Sequence, residues 1–267
     1  MKVLAVMMAG AALAAAQAAA DGGRVTVPLR DPGKPARLQV KTLSGSIRVK
    51  THAADSMIVE STARDRRARR GPEPAGLRRL ESPGFGFHLE EDNNFVKIAG
   101  DVMRPGDLTI LVPLNTSVTA TTVNGGVVEI EGISGEVEAN NTNGAVTVTN
   151  VTGSVVAHSL NGRITVSLNR IAANKEMSFS TLNGNIEVTL PADTKANLKM
   201  KTDNGDIYTD FEIRLEPNSA AAVEERRGEG GKYRVKFQRA LYGSINGGGP
   251  LFSFTTLNGQ IQIRKQK

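Results

Sequence analysis

The sequence contains no cysteine and no tryptophan, and only 3 tyrosines and 8 phenylalanines in 267 residues. Without thiols there can be no disulfide staple, thiolate metal site, cysteine nucleophile or lipid-bearing cysteine behind a leader. Stability must come from packing and backbone hydrogen bonding, and the core must be aliphatic. An exported protein without disulfides fits a bacterial envelope better than a eukaryotic secretory route. The sequons at Asn115, Asn140 and Asn150 are therefore expected to carry no glycan. Long apolar runs are also missing beyond the amino terminus. The longest, residues 108–114, is interrupted by Pro113 and falls far short of the roughly 20 residues of a spanning helix. Hydrophobic residues nevertheless make up 39% of the chain, enough for a packed core and too many for wholesale disorder.

Residues 1–20 read as a secretory signal peptide: Lys2, an uncharged stretch over 3–16, then Ala18-Ala19-Ala20 before Asp21. The expected mature protein is residues 21–267, exported to the periplasm, the cell surface or the extracellular space, with no transmembrane segment. Net charge is +6, or +5 once Lys2 is removed, and the excess is local.

One phrase recurs: a polar residue, Asn-Gly or Ser-Gly, a spacer, then aliphatic residues in alternation. It appears at Thr122-Val123-Asn124-Gly125, Thr142-Asn143-Gly144, Ser159-Leu160-Asn161-Gly162, Thr181-Leu182-Asn183-Gly184, Thr202-Asp203-Asn204-Gly205 and Thr256-Leu257-Asn258-Gly259. Thr42-Leu43-Ser44-Gly45 is an earlier variant. The glycines at 125, 144, 162, 184 and 205 are 19, 18, 22 and 21 residues apart, with half-steps at Gly135 and Gly153. Asn and Gly both tolerate positive φ, so each pair is expected to form a sharp left-handed corner. The alternation after it places aliphatic residues on one face.

A single copy buries two or three side chains, about 1.5–3 kcal/mol each, which does not offset the ordering entropy of its backbone. Stacked copies shield one another. The expected fold is all-β, a β-solenoid (β-helix-like) of 18–22-residue repeats with Asn-Gly corners. The alternative is a β-sandwich of hairpins, since Asn-Gly between alternating strands is also a hairpin signal. Along the chain, residues 21–114 read as an N-terminal cap and strands with an Arg-rich loop at 64–79. Core repeats follow over 115–211, a charged excursion over 212–240 and a C-terminal repeat over 241–267. Residues 85–114 read as two longer strands around 103–107, and the basic ending Arg264-Lys265-Gln266-Lys267 as the charged last edge.

Leu108-Thr109-Ile110-Leu111-Val112-Pro113 followed by the Asn-Gly and Ser-Gly alternation resembles a bacterial domain-of-unknown-function family labelled as candidate adhesins. So do Ser178-Phe179-Ser180-Thr181, Leu190-Pro191-Ala192-Asp193 and Asn246-Gly247-Gly248-Gly249. The resemblance runs over residues 25–263 and is strongest over 108–211. It implies a β-helix-like stack and transfers no catalytic residue. Its functional label rests on architecture alone.

The most unusual local feature is a run of seven arginines, Arg64, Arg66, Arg67, Arg69, Arg70, Arg78 and Arg79, against Asp65 and Glu73. A planar guanidinium binds phosphate or carboxylate at two points. These residues are thus candidates for contact with an anionic envelope polymer, a surface glycan or an envelope protein; a plain solvated basic loop is the other reading. A calcium ladder needs a recurring acidic residue at nine-residue spacing, and only Asp206 follows an Asn-Gly pair. His52, His88 and His158 show no ligand spacing. Glu129, Glu131, Glu136 and Glu138 could line one outer face as paired carboxylates of a polysaccharide-acting enzyme, but alternating outward Glu is more simply a solvated surface. No metal, cofactor or catalytic residue is expected. The expectation is a non-catalytic scaffold or adhesin-like protein of the envelope or surface, with a periplasmic structural or stress-linked protein as the alternative.

Overall fold

The computed structural model of the chain describes residues 19–21, 24–62, 85–216, 222–227, 233–238 and 240–267. Within them all regular structure is β, and none is a helix long and apolar enough to cross a membrane. Twenty-one strands form one sheet folded into two rows, and a separate hairpin comprises β19 (Ala222–Arg227) and β20 (Tyr233–Gln238). The first row holds β3 (Ala36–Ser44), β7 (Phe95–Gly100), β9 (Thr116–Asn124), β11 (Ser134–Asn143), the second half of β12 (Val146–Asn161), β14 (Met177–Asn183), β16 (Ala196–Asn204) and β22 (Leu251–Asn258). The second row holds β4 (Ile47–His52), β8 (Leu108–Pro113), β10 (Val128–Glu131), the first half of β12, β13 (Ile164–Ile171), β15 (Ile186–Leu190), β17 (Ile207–Thr209) and β23 (Ile261–Lys265).

At each corner the chain passes from the first row to the second, and every strand pairs in parallel with its equivalent in the next coil. Asn143 registers with Asn161, Asn161 with Asn183 and Asn183 with Asn258, for example. Hairpins would have paired the strands flanking each corner in antiparallel fashion; the stack is solenoid-like instead.

Spatial order departs from chain order at both ends. Strands β3 and β4 form a coil lying between β7–β8 and β9–β10. Strands β22 and β23 lie between β14–β15 and β16–β17. The basic C-terminal strand is therefore interior to the stack and not its last edge. Antiparallel strands close the ends: β6 (Phe87–Asp92) on β7, and β5 (Ser56–Ser61) with β2 (Arg24–Pro28) on β8, at one. At the other, β21 (Leu241–Ile245) and β18 (Arg214–Leu215) follow β16. Residues 85–114 thus give three strands, because Asn93 and Asn94, both at positive φ, fold the first part into a β6–β7 hairpin.

Gly45 and Gly125 turn their corners at positive φ, but Gly144, Gly162, Gly184, Gly205 and Gly259 do not, and there the phrase has a different physical basis. Asn124, Asn143, Asn161, Asn183, Asn204 and Asn258 all keep negative φ. The glycine is required by its neighbour in the stack. A Cβ on Gly126, Gly144, Gly162, Gly184, Gly259 or Gly205 would overlap the carbonyl of Gly45, Gly126, Gly144, Gly162, Gly184 or Gly259, respectively. The asparagines form a ladder. Asn204 donates through Nδ2 to Oδ1 of Asn258, Asn258 to Asn183, Asn183 to Asn161 and Asn161 to Asn143, at 2.7–2.9 Å. The buried hydroxyls of Thr122, Ser159, Thr181 and Thr256, and the half-buried one of Thr202, donate to the corner carbonyl of the adjacent coil at 2.9–3.0 Å. That bond satisfies an oxygen otherwise shut away from water.

The core lies between the rows. Ala120, Ala139 and Ala157 keep it narrow in the middle coils, where the second corner is short and closed by buried Ile133 and Val151. Toward the C-terminal end, loops at residues 172–176 and 191–195 lengthen that corner. The wider interior takes Phe179 and Phe254, stacked at 5.1 Å.

Candidate interaction surface

The seven arginines singled out above lie in residues 63–84, outside the described residues, and the structure fixes where that segment is tethered. It leaves from β5 and re-enters at β6. Ser61 registers with Leu108 of β8, and Phe87 with Gly100 of β7. Both anchors belong to the N-terminal end of the stack.

That end carries further cations which sequence reading did not single out. Leu38 and Val40 of β3, and Val96 and Ile98 of β7, point into the core, so the residues between them face out. Arg37 places its guanidinium 4.8 Å from the Phe95 ring centroid, and the Lys97 ammonium lies 5.0 Å from it. Such contacts are worth about 0.5–1 kcal/mol at an exposed site. Lys41 stands two positions along from Gln39 on the same face. Among the described residues none of Arg37, Lys41 and Lys97 has an ion-pair partner. Across the adjoining coils runs a trough of about 350 Å³ lined by Arg37, Gln39, Phe95, Ser117, Thr119 and Glu138, among others. Acidic side chains are near in β6: Glu90 stands opposite Lys97 in the antiparallel register without closing to an ion pair, while Glu91 accepts from the Asn94 backbone N–H and Asp92 from Asn93 Nδ2.

The outer face of the second row is self-neutralised. Arg48 pairs with Glu129 of the next coil at 3.0 Å and with Asp107 at 3.5 Å, Lys50 with Glu131 at 3.2 Å, and Arg264 with Glu187 at 3.1 Å. The four glutamates considered as catalytic carboxylates do not share a face. Glu129 and Glu131 belong to β10 in the second row, Glu136 and Glu138 to β11 in the first. The chain between Glu131 and Glu136 turns the second corner at Gly132 and Ile133, which is why alternation alone misplaced them. Glu136 binds Lys175 at 2.8 Å, a hydrogen bond that holds the Lys175 ammonium above the ordinary lysine range, aided by the carboxylate charge. Glu138 accepts from Asn140 Nδ2 at 3.0 Å.

The histidines lie apart. His52 Nε2 contacts the Ser56 carbonyl, His88 is exposed on β6, and His158 Nδ1 meets Ser180 Oγ at 2.6 Å on the open first-row face. Asp206 instead raises the Tyr208 phenol pKa, through its charge and then through the hydrogen bond it accepts at 3.2 Å. No group of three His, Asp or Glu converges among the described residues.

A second depression, about 700 Å³, lies where the lengthened loops meet, beside Arg170, Asn174, Asp193 and Lys195. Leu190-Pro191-Ala192-Asp193 and Asn246-Gly247-Gly248-Gly249 converge there. Asn246 Nδ2 donates to the carbonyls of Ala192 and Thr194 at 3.0 and 2.7 Å. The glycines let the turn cross the start of β16: a Cβ on Gly249 would press on the Lys195 carbonyl, and one on Gly248 on Asn197 Oδ1. These motifs thus act as a clip.

The cations at positions 37, 41 and 97 are scattered in sequence, and only the coil order brings them together. The geometry can hold an extended anionic partner by many weak contacts. A family model described as Toastrack DUF4097 matches residues 24–236. A candidate cell adhesion protein from Clostridium sporogenes is 10% identical with a TM-score of 0.46, over 91% of this chain and 99% of that one. A candidate adhesin from Bacteroides fragilis is 10% identical with a TM-score of 0.39, over 91% and 96%. No curated protein matches the chain.

Proposed function

The chain belongs to the Toastrack DUF4097 family, and from there we propose that it is an exported, non-catalytic, adhesin-like scaffold of the bacterial cell envelope or surface. In this reading its 18–22-residue Asn-Gly coils form a rigid stack whose N-terminal end holds anionic polymer. One observation carries it: Arg37, Lys41 and Lys97 face outward without ion-pair partners among the described residues, at the end where the Arg-rich segment is tethered. The second row, by contrast, neutralises its own charges coil by coil. Phosphate or carboxylate groups spaced along a polymer suit such a surface, because individually weak exposed contacts add through multivalency and charge raises the encounter rate.

The test is binding of the mature chain to a phosphate-bearing envelope polysaccharide across a salt series. Binding should weaken steeply with salt. Arg37→Ala with Lys41→Ala and Lys97→Ala should weaken it roughly tenfold to a hundredfold, at about 0.5–1 kcal/mol per lost exposed contact. Substituting Arg66, Arg67, Arg69 and Arg70 should weaken it further. Binding indifferent to salt and to both sets of substitutions would sink the reading.

A further inference from the structure

The asparagine ladder singles out one corner for a chemistry that the others are shielded from. In an Asn-Gly pair the glycine backbone nitrogen can attack the asparagine Cγ. The N–Cγ bond forms, the Cγ–Nδ2 bond breaks, and the amide nitrogen leaves as ammonia. Water then opens the resulting succinimide to aspartate or isoaspartate, and nothing but water is consumed. The step needs a carboxamide free to turn toward a nitrogen that is itself free.

The other corners deny one or both of these freedoms. The Nδ2 groups of Asn161, Asn183, Asn258 and Asn204 are each donated to the next rung. The nitrogens of Gly184 and Gly259 are donated to the Asn258 and Asn204 carbonyls at 3.0 and 3.1 Å. Asn143 is held through its Oδ1 by Asn161. Asn246, outside the ladder, spends its amide on two carbonyls.

Asn124 differs. It is exposed and registers with Asn143, yet no described residue hydrogen-bonds its side chain. The reason is one extra residue. In this corner the stacked glycine is Gly126, so Gly125 is supernumerary, at φ +69° with nothing within 4 Å of its Cβ position. We infer that Asn124-Gly125 is a self-modification site, the Asn-Gly pair that deamidates in the folded protein.

The ladder also suits the product. Every amide donates in the same direction, from Asn204 toward Asn143. The aligned dipoles therefore present their donor end to residue 124, where Asn143, alone of the five ladder asparagines, keeps its Nδ2 unspent among the described residues. A carboxylate there accepts what a carboxamide leaves unused.

The experiment incubates the intact native chain in mildly alkaline buffer and follows each Asn-Gly peptide by mass spectrometry with isoaspartate detection. The ladder asparagines react only through local opening, so conversion at Asn124 should outpace each of them by roughly tenfold or more. In denaturant the sites should converge. Native rates that are alike at Asn124 and Asn183, or faster at Asn183, would overturn the site. The product is checked separately: Asn124→Asp should leave the unfolding midpoint unchanged or raised, whereas Asn183→Asp should lower it. A lowered midpoint for Asn124→Asp would overturn the carboxylate's place at the ladder end.

Discussion

Asn141 occupies the position that Thr181, Ser159 or Thr256 fills in nearby coils, and it fills it less well. Its Nδ2 donates to the Gly126 carbonyl at 2.9 Å, as the hydroxyls do to theirs, and also reaches the Ala145 carbonyl at 3.2 Å. Its Oδ1 is buried without a partner. A hydroxyl at this site would keep the stronger bond and remove a carbonyl that folding strips of water for nothing in return. Relieving such a group is worth about 2 kcal/mol, against about 1 kcal/mol for the longer bond given up. Asn141→Thr is accordingly expected to raise the urea midpoint by an amount corresponding to roughly 1 kcal/mol, with the m-value unchanged. A lower midpoint would mean that the Ala145 contact matters more than the orphaned oxygen. Position 141 shows how the phrase works: the hydroxyl serves the corner carbonyl, the asparagine serves its own ladder, and the glycine gives the next coil room.

At the scale of elements, the coil formed by β22 and β23 is the last segment of the chain and yet has a neighbour on each side. Phe252, Phe254, Ile261 and Ile263 are fully buried. Thr256 donates to the Gly184 carbonyl, while the Gly259 carbonyl accepts from Thr202. A chain ending at Gly249 would leave a slot one coil wide between β14–β15 and β16–β17. Closing it requires β16, β17 and the β21 cap to move together by about 4.8 Å. A peptide of residues 250–267 can fill it directly, burying side chains worth about 1.5–3 kcal/mol each. The truncated chain should melt lower than the full chain, and the peptide should raise its Tm in a concentration-dependent way where a scrambled peptide does not. A Tm insensitive to the peptide would show that the slot closes. This arrangement also marks how far the sequence could be read. Alternation assigns Phe179 and Phe254 inward and Ser178 and Ser253 outward, and the phrase marks the corners. It does not say which corner stacks on which, because Gly205 would fit against Gly184 by the same chemistry with which Gly259 does. The strands on either side of residues 103–107 read from the sequence as part of a cap and not as a coil of the stack, since the turn through Met103-Arg104-Pro105-Gly106 lacks the phrase. Asparagine and glycine suggested a left-handed corner because that preference is local. Their actual partners lie one coil away, and so do the cations that Arg37, Lys41 and Lys97 bring to one face.

At the scale of the whole molecule, every described strand inside the stack is hydrogen-bonded on both edges, whereas the outermost strands at its two ends and the β19–β20 hairpin pair on one, and proteases need an extended, unpaired segment of chain to cleave. Trypsin also needs lysine or arginine, and residues 64–79 concentrate seven arginines between two anchors, β5 and β6, on one end of the stack. Limited tryptic digestion of the protein is therefore expected to cut there first. The cut should leave the two pieces associated, because β5 is held by β2 and β8 and β6 by β7. The same cut reports location. On the proposed surface role, trypsin added to intact cells should cleave within 64–79, and antibody to the stack should then find the two fragments still together. Protection in intact cells, followed by ready cleavage once the outer barrier is opened, would contradict exposure at the surface and move the protein to a periplasmic scaffold. The basic end would then face polymers and proteins inside the envelope. Cleavage at scattered lysines of the first and second rows under the same conditions would instead contradict the stack itself, since those lysines belong to strands paired on either side.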